Sequence, residues 1–113
     1  MSDNRREDER IQILGALSGD ATVHQSISVR ELSRTGAQIE STFPLQLNSL
    51  HEFRLALGSQ LIVVKGRVAH SHIHEIDPDS VLYRAGIEFV DMPAWVANAL
   101  ANFLDAVKTG RHA

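Results

Sequence analysis

The hydrophobic spacing of this chain changes period once, at Met92-Pro93, and that change constrains the fold more than any other feature. Before it, apolar residues tend to alternate with polar ones, the repeat of a strand with one buried face. After it they recur every third or fourth position, the repeat of an amphipathic helix. A chain that runs through strands and ends on one helix buries both apolar faces by laying the helix across the sheet. The pattern predicts an antiparallel all-β barrel with a C-terminal α-helix lying over it.

The individual elements follow from the same spacing. Ile11 to Leu17 reads as a short strand or docking segment, with Ser18-Gly19-Asp20 as a turn. Ala21 to Leu32 is rich in Val, Ile, Thr and Ser and reads as a strand whose apolar members are Val23, Ile27 and Val29. Gly36 to Ser41 is a short strand with Ala37 and Ile39 on one face, and Leu45 to Leu50 is a connection after Pro44. Glu52 to Leu57 alternates cleanly, with Phe53, Leu55 and Leu57 inward, and Gly58-Ser59 turns it into Gln60–Ile73. Asp77-Pro78-Asp79-Ser80 is a second turn. Val81 to Val90 is the last strand, carrying Tyr83, Ile87 and Phe89, with Gly86 as a bulge. Val96, Leu100, Phe103, Leu104 and Val107 then mark the helix, with Pro93 at its start and Gly110 at its stop.

The chain has 113 residues, enough for one domain and one core. Residues 1–10 are almost wholly polar and charged, so they are expected to form a flexible arm, and residues 11–113 the folded body with its helix over about 94–108. The arm mixes Arg5, Arg6 and Arg10 with Asp3, Glu7, Asp8 and Glu9. It has no apolar stretch and so is no signal peptide. The aliphatic run Leu61-Ile62-Val63-Val64 is far too short to span a membrane, so a cytoplasmic protein is expected. A formal charge of -3 argues against a coat for polymeric DNA or RNA, which needs a basic surplus. The absence of cysteine excludes disulfides, thiol catalysis and Cys-based zinc sites.

Three groups of residues could carry chemistry. His70, His72 and His74 share one face of a strand. Three in-line positions splay apart instead of converging on a tetrahedral centre, which favours a polar or pH-sensitive strand face over a metal site. Ser, His and Asp are present, but no nucleophile elbow, paired-carboxylate motif or phosphate loop surrounds them, so no catalytic residues, metal or cofactor are expected. The third group is the junction Glu31-Leu32-Ser33-Arg34-Thr35-Gly36. Its hydroxyls can close a turn on their own backbone, and Gly36 permits positive φ. Glu31 could accept from the ring N–H and amino group of a guanine, while an Arg fork could meet guanine O6 and N7 or a phosphate.

Arg6-x-x-x-Arg10 followed by Glu31-x-Ser33-x-x-Gly36 resembles the two-part signature of PilZ domains. Gly66-Arg67-Val68 and Tyr83-Arg84-Ala85-Gly86-Ile87-Glu88-Phe89 extend the likeness along the whole chain. The family pattern has Asp or Asn where this chain has Glu31. The resemblance implies a six-stranded antiparallel β-barrel that binds the bacterial second messenger cyclic diguanylate (c-di-GMP). It implies that Arg6 and Arg10, on an arm that wraps the ligand, engage guanine edges and phosphates. Glu31, Ser33 and Gly36 would then hold the ligand from the barrel side. Arg5, preceding the pair, is the position associated in similar domains with an intercalated ligand dimer. Such a receptor does no chemistry on its ligand and signals in trans to an effector protein, with a homodimer left open. The alternative is a ligand-free adaptor of the same fold, acting only through protein–protein contact.

Overall fold

The computed structural model describes residues 9–13, 17–20 and 25–110. Its strands are β1 (Ile11–Gln12), β2 (Ser18–Asp20), β3 (Ser26–Leu32), β4 (Gly36–Ser41), β5 (Leu50–Leu57), β6 (Gln60–Asp77) and β7 (Ser80–Val90). One helix, α1 (Ala94–Lys108), follows them. The architecture is mostly β with a C-terminal helix, as the change of period requires. Six strands make an antiparallel ladder in the order β3–β2–β5–β6–β7–β4, and the two-residue β1 lies beside β3. β4 pairs with β3 as well as with β7.

Alternation fills the interior. Phe53, Leu55 and Leu57 of β5 are buried together with Ile62, Val64 and Val68 of β6, while Arg54, Ala56, Val63, Lys65 and Arg67 face outward. The helix contributes Val96, Ala99, Leu100 and Leu104 to the same core and packs on β6. Pro93 stands just outside its first turn as the cap residue. At the far end the Thr109 hydroxyl lies 2.9 Å from the Asp105 carbonyl, closing the helix before Gly110 at φ 76°.

Two local expectations are corrected. Ser18-Gly19-Asp20 is not a turn but β2, with Ser18 opposite Ser28 of β3 and Gly19 opposite Leu55 of β5. Small polar residues read locally as a turn, but pairing on both sides outweighs that preference. Of the strand expected over Ala21–Leu32, residues 21–24 lie outside the described residues, and β3 begins at Ser26.

The second correction concerns Gly86, which is not the bulge. The extra residue is Ala69, across on β6, because Val68 pairs with Ile87 while His70 pairs with Gly86. A matching bulge sits at Arg30 of β3, where Val29 pairs with Ile39 but Glu31 with Gln38. Each inserted residue reverses the alternation beyond it. Without them, Glu31 would follow Ile27 and Val29 into the core, and His70 would follow Val64 and Val68. With them, Leu32 is buried and both Glu31 and His70 stand on the outer face.

Candidate ligand-binding site

The turn between β3 and β4 is held by its own serine. Ser33 is fully buried, and its Oγ accepts the Gly36 N–H at 3.1 Å and the Thr35 N–H at 3.2 Å. The Ser33 N–H donates to the Gly36 carbonyl at 2.9 Å. The Ser33 hydroxyl also lies 3.2 Å from the Gly36 carbonyl and 3.3 Å from the Thr35 hydroxyl. Gly36 is needed for a reason other than the positive φ read from sequence. Among the described residues the glycines at positive φ are Gly58 and Gly110. At Gly36 a Cβ would instead fall onto the backbone carbonyl of Ile87, so the close approach of β4 to β7 is what demands glycine.

From this turn a register row crosses the outer face. Gln12 of β1 pairs with Glu31 of β3, Glu31 with Gln38 of β4, Gln38 with Gly86 of β7, and Gly86 with His70 of β6. Neighbouring strands lie about 4.8 Å apart, so the five positions span roughly 19 Å. Gly86 is a gap in that row, and across it the Gln38 amide nitrogen lies 3.2 Å from His70 Nε2. The His70 and His72 rings stack at 6.4 Å between centroids and 18° between planes.

Two concavities flank His70. One, of about 480 Å³, is lined by Gln12, Arg30, Glu31, Gln38, His72 and Arg84 among others, with His70 at its edge. The other, of about 330 Å³, is lined by Arg10, Thr35, Gly86 and Glu88, again with His70. The first carries a charge network: Arg84 Nε lies 2.6 Å and Arg30 Nε 3.9 Å from the two oxygens of Glu40. One carboxylate thus orients two guanidiniums, and Glu31 on the same cavity balances the positive charge that Glu40 leaves over.

The expected site residues fare unequally. Arg10, exposed, and Glu31, half-buried, line adjoining cavities; Ser33 and Gly36 form the turn between β3 and β4. Arg5 and Arg6 lie outside the described residues, as do Glu7 and Asp8. Glu9, the last of the arm's carboxylates, is 2.7 Å from Lys108 Nζ at the end of α1. Arg34 of the turn is 3.9 Å from Asp105 of the same helix, so arm and turn both reach α1. Among the described residues no three His, Asp or Glu side chains gather to hold a metal. Of the other lining side chains, sequence reading named His70 only as part of a polar or pH-sensitive strand face and Arg84 only within the family likeness, and it missed Gln38. Their convergence depends on the bulges at Arg30 and Ala69, which alternation alone cannot locate.

The chain belongs to the PilZ domain family, whose model matches residues 4–106. PilZ domains are receptor or adaptor domains rather than enzymes. The fold is similar to the PilZ domain with c-di-GMP of YcgR from Escherichia coli, with a TM-score of 0.74, 14% identity and coverage of 94% of this chain and 93% of that one. It is similar also to the K. pneumonia MrkH–c-di-GMP complex, with a TM-score of 0.75 and 16% identity over 94% of this chain and 53% of that one. The Borreliella burgdorferi PlzA protein in complex with c-di-GMP matches with a TM-score of 0.61 and 10% identity, covering 97% of this chain and 55% of that one. This chain therefore spans about half the length of MrkH and PlzA. No curated protein matches it by sequence. Among the described residues no helix is long and apolar enough to cross a membrane.

Proposed function

We propose that this chain is a receptor for c-di-GMP that works by recognition and switching, with no chemistry on the ligand. The observation that carries the reading is the meeting of two separate motif parts on one outer face. Arg10 and Glu31, twenty-one positions apart in sequence, line cavities that share His70. In this reading Arg6 and Arg10 grip guanine edges and phosphates, and Arg5 supports a second, intercalated ligand. Glu31 accepts from a guanine ring N–H and amino group. Ser33 and Gly36 act by shaping the turn that follows Glu31 at the end of β3. The β3–β4 pairing is read as the closure of a six-stranded barrel, giving the site a rigid floor.

Switching follows from the contacts with α1. The arm is tied to the helix through Glu9–Lys108, and the turn through Arg34–Asp105. A ligand that draws Arg10 over the outer face competes with the first of these contacts and so changes the helix surface. An effector protein in the bacterial cytoplasm would read that change. Exposed ion pairs of this kind contribute only about 0–1 kcal/mol, so a modest ligand can shift them.

The test is isothermal titration calorimetry of c-di-GMP into the wild type, Arg6→Ala and Arg10→Ala. Micromolar or tighter wild-type binding that collapses in both variants is expected. Equal binding by all three would refute the assignment of the arginines, and no heat from any would leave the ligand-free adaptor.

A further inference from the structure

The longest strand outruns its neighbours. On its β5 side, β6 pairs from Gln60 to Arg67. The connection before β5 extends that side by one residue, the Asn48 N–H donating to the Val68 carbonyl and the Val68 N–H to the Ser49 carbonyl. From Ala69 to Asp77, β6 has β7 as its one partner strand among the described residues. β7 in turn pairs with β4 only from Tyr83 to Glu88. Beyond the pair Ile73–Tyr83 the two strands therefore project as a ribbon of two. Such ribbons are at best marginally stable in water, and an open edge is a template for another strand.

Little along this edge keeps a second strand away. Between Ala69 and Asp77 there is no Pro, Lys or Arg. The irregular positions fall near its two ends, at Ala69 and between Glu75 and Asp77, so the ladder between them is regular. The midpoint of the stretch is Ile73, which at 64% is the most exposed large hydrophobic side chain among the described residues.

We propose that this chain forms a homodimer by pairing the open edge of β6, Ala69–Asp77, antiparallel with the same stretch of a second copy. The inference goes beyond the receptor reading and does not depend on it. The symmetry of the stretch is what selects a second copy. Directly opposite residues of an antiparallel pair point to the same face, so a two-fold axis across the joined edges falls on a residue, not between two. An axis on Ile73 pairs the whole open stretch: Ala69 with Asp77, Ser71 with Glu75, His72 with His74, and Ile73 with its own copy. That register covers the most exposed apolar side chain with an identical β-branched one, a favourable cross-strand pair. An axis on His72 would set Ile73 opposite Ser71 instead. The Ile73 register also carries the tip Asp77-Pro78-Asp79 of each copy toward the level of Arg67 of the other, so opposite charges meet twice by symmetry. One shared edge buries little surface, so the dimer is weak and forms as concentration rises. The outer faces of both copies lie on one side of the joined sheet, which sets the two candidate ligand faces side by side.

The experiment is sedimentation equilibrium on the ligand-free full chain as wild type, Ile73→Lys and Leu61→Lys. Both substitutions fall at exposed positions of β6, and Leu61 stands on the part already paired with β5. Wild type and Leu61→Lys move from monomer toward dimer by about 1 mM chain, while Ile73→Lys stays monomeric. A disulfide then reads the register. The chain has no cysteine, so Ile73→Cys places one thiol per copy on the axis. Opposite Cα atoms of paired strands lie about 4.5–5.5 Å apart, within disulfide reach. With oxidised glutathione as oxidant, the two thiols become one disulfide and the glutathione is reduced. Ile73→Cys crosslinks about tenfold faster than Leu61→Cys, because pairing raises the local thiol concentration. A wild type still monomeric at about 1 mM would overturn the inference. Equal crosslinking by the two cysteine variants, or a dimer that Ile73→Lys leaves intact, would overturn it as well. No ligand is present in any arm, so these failures are distinct from a failure of the c-di-GMP reading, which calorimetry decides.

Discussion

Ser33→Ala separates two roles that the motif alone runs together. If Ser33 were a ligand contact, its removal would cost affinity and leave the fold untouched. Its hydroxyl is instead fully buried and spent on the turn, accepting from Gly36 N at 3.1 Å and Thr35 N at 3.2 Å. Thr35 is exposed, so water can take up its amide once the hydroxyl is gone. Gly36 is buried and loses the Ser33 acceptor. Stripping an acceptor from a buried N–H costs about 1–3 kcal/mol. For a domain of this size each kcal/mol lowers Tm by roughly 4 °C, so a fall of about 4–12 °C is expected. Differential scanning calorimetry on the ligand-free protein measures it. Affinity for c-di-GMP should fall too, through loosening of the segment that carries Glu31. An unchanged Tm together with lost binding would refute the reasoning, for the serine would then be facing the ligand.

Two further substitutions test the frame around the site. Leu100→Ala removes a fully buried side chain of α1 from the core and should cost about 2–5 kcal/mol in urea unfolding, against no loss if the helix were only loosely laid on the sheet. Gly58→Ala forces a Cβ into a turn residue at φ 65° and should cost roughly 1 kcal/mol by the same measurement; an unchanged midpoint would mean that the β5–β6 turn has relaxed to another type.

The fold was largely legible because period is a local property. Phe53, Leu55 and Leu57 announce their buried face without reference to any other strand. The helix announces itself through Val96, Leu100 and Leu104. What escaped was non-local. Ser18-Gly19-Asp20 becomes a strand only because β3 and β5 lie on either side of it. Gly86 looked like the bulge, yet the inserted residue is Ala69 on the strand opposite, and a glycine marks the close approach rather than the insertion.

The site was legible to the extent that its residues fall in a short motif. Glu31, Ser33 and Gly36 could be named from spacing, but the division of labour among them could not, since it depends on which hydroxyl is buried and which carbonyl of β7 is near. Gln38 carries no motif, and His70 stood out only as one of three histidines on a strand face. They meet because two one-residue insertions, at Arg30 and Ala69, bring both to the same face. The charge of the arm was equally misleading as a sum. Glu9 is engaged by Lys108 on α1, so it does not simply cancel Arg10.

The central claim is that this outer face receives c-di-GMP, and one calorimetric titration of the unaltered protein tests it most directly. The account predicts saturable heat with micromolar or tighter affinity. A flat titration at high ligand concentration, with the protein shown to be folded by its Tm, would contradict it.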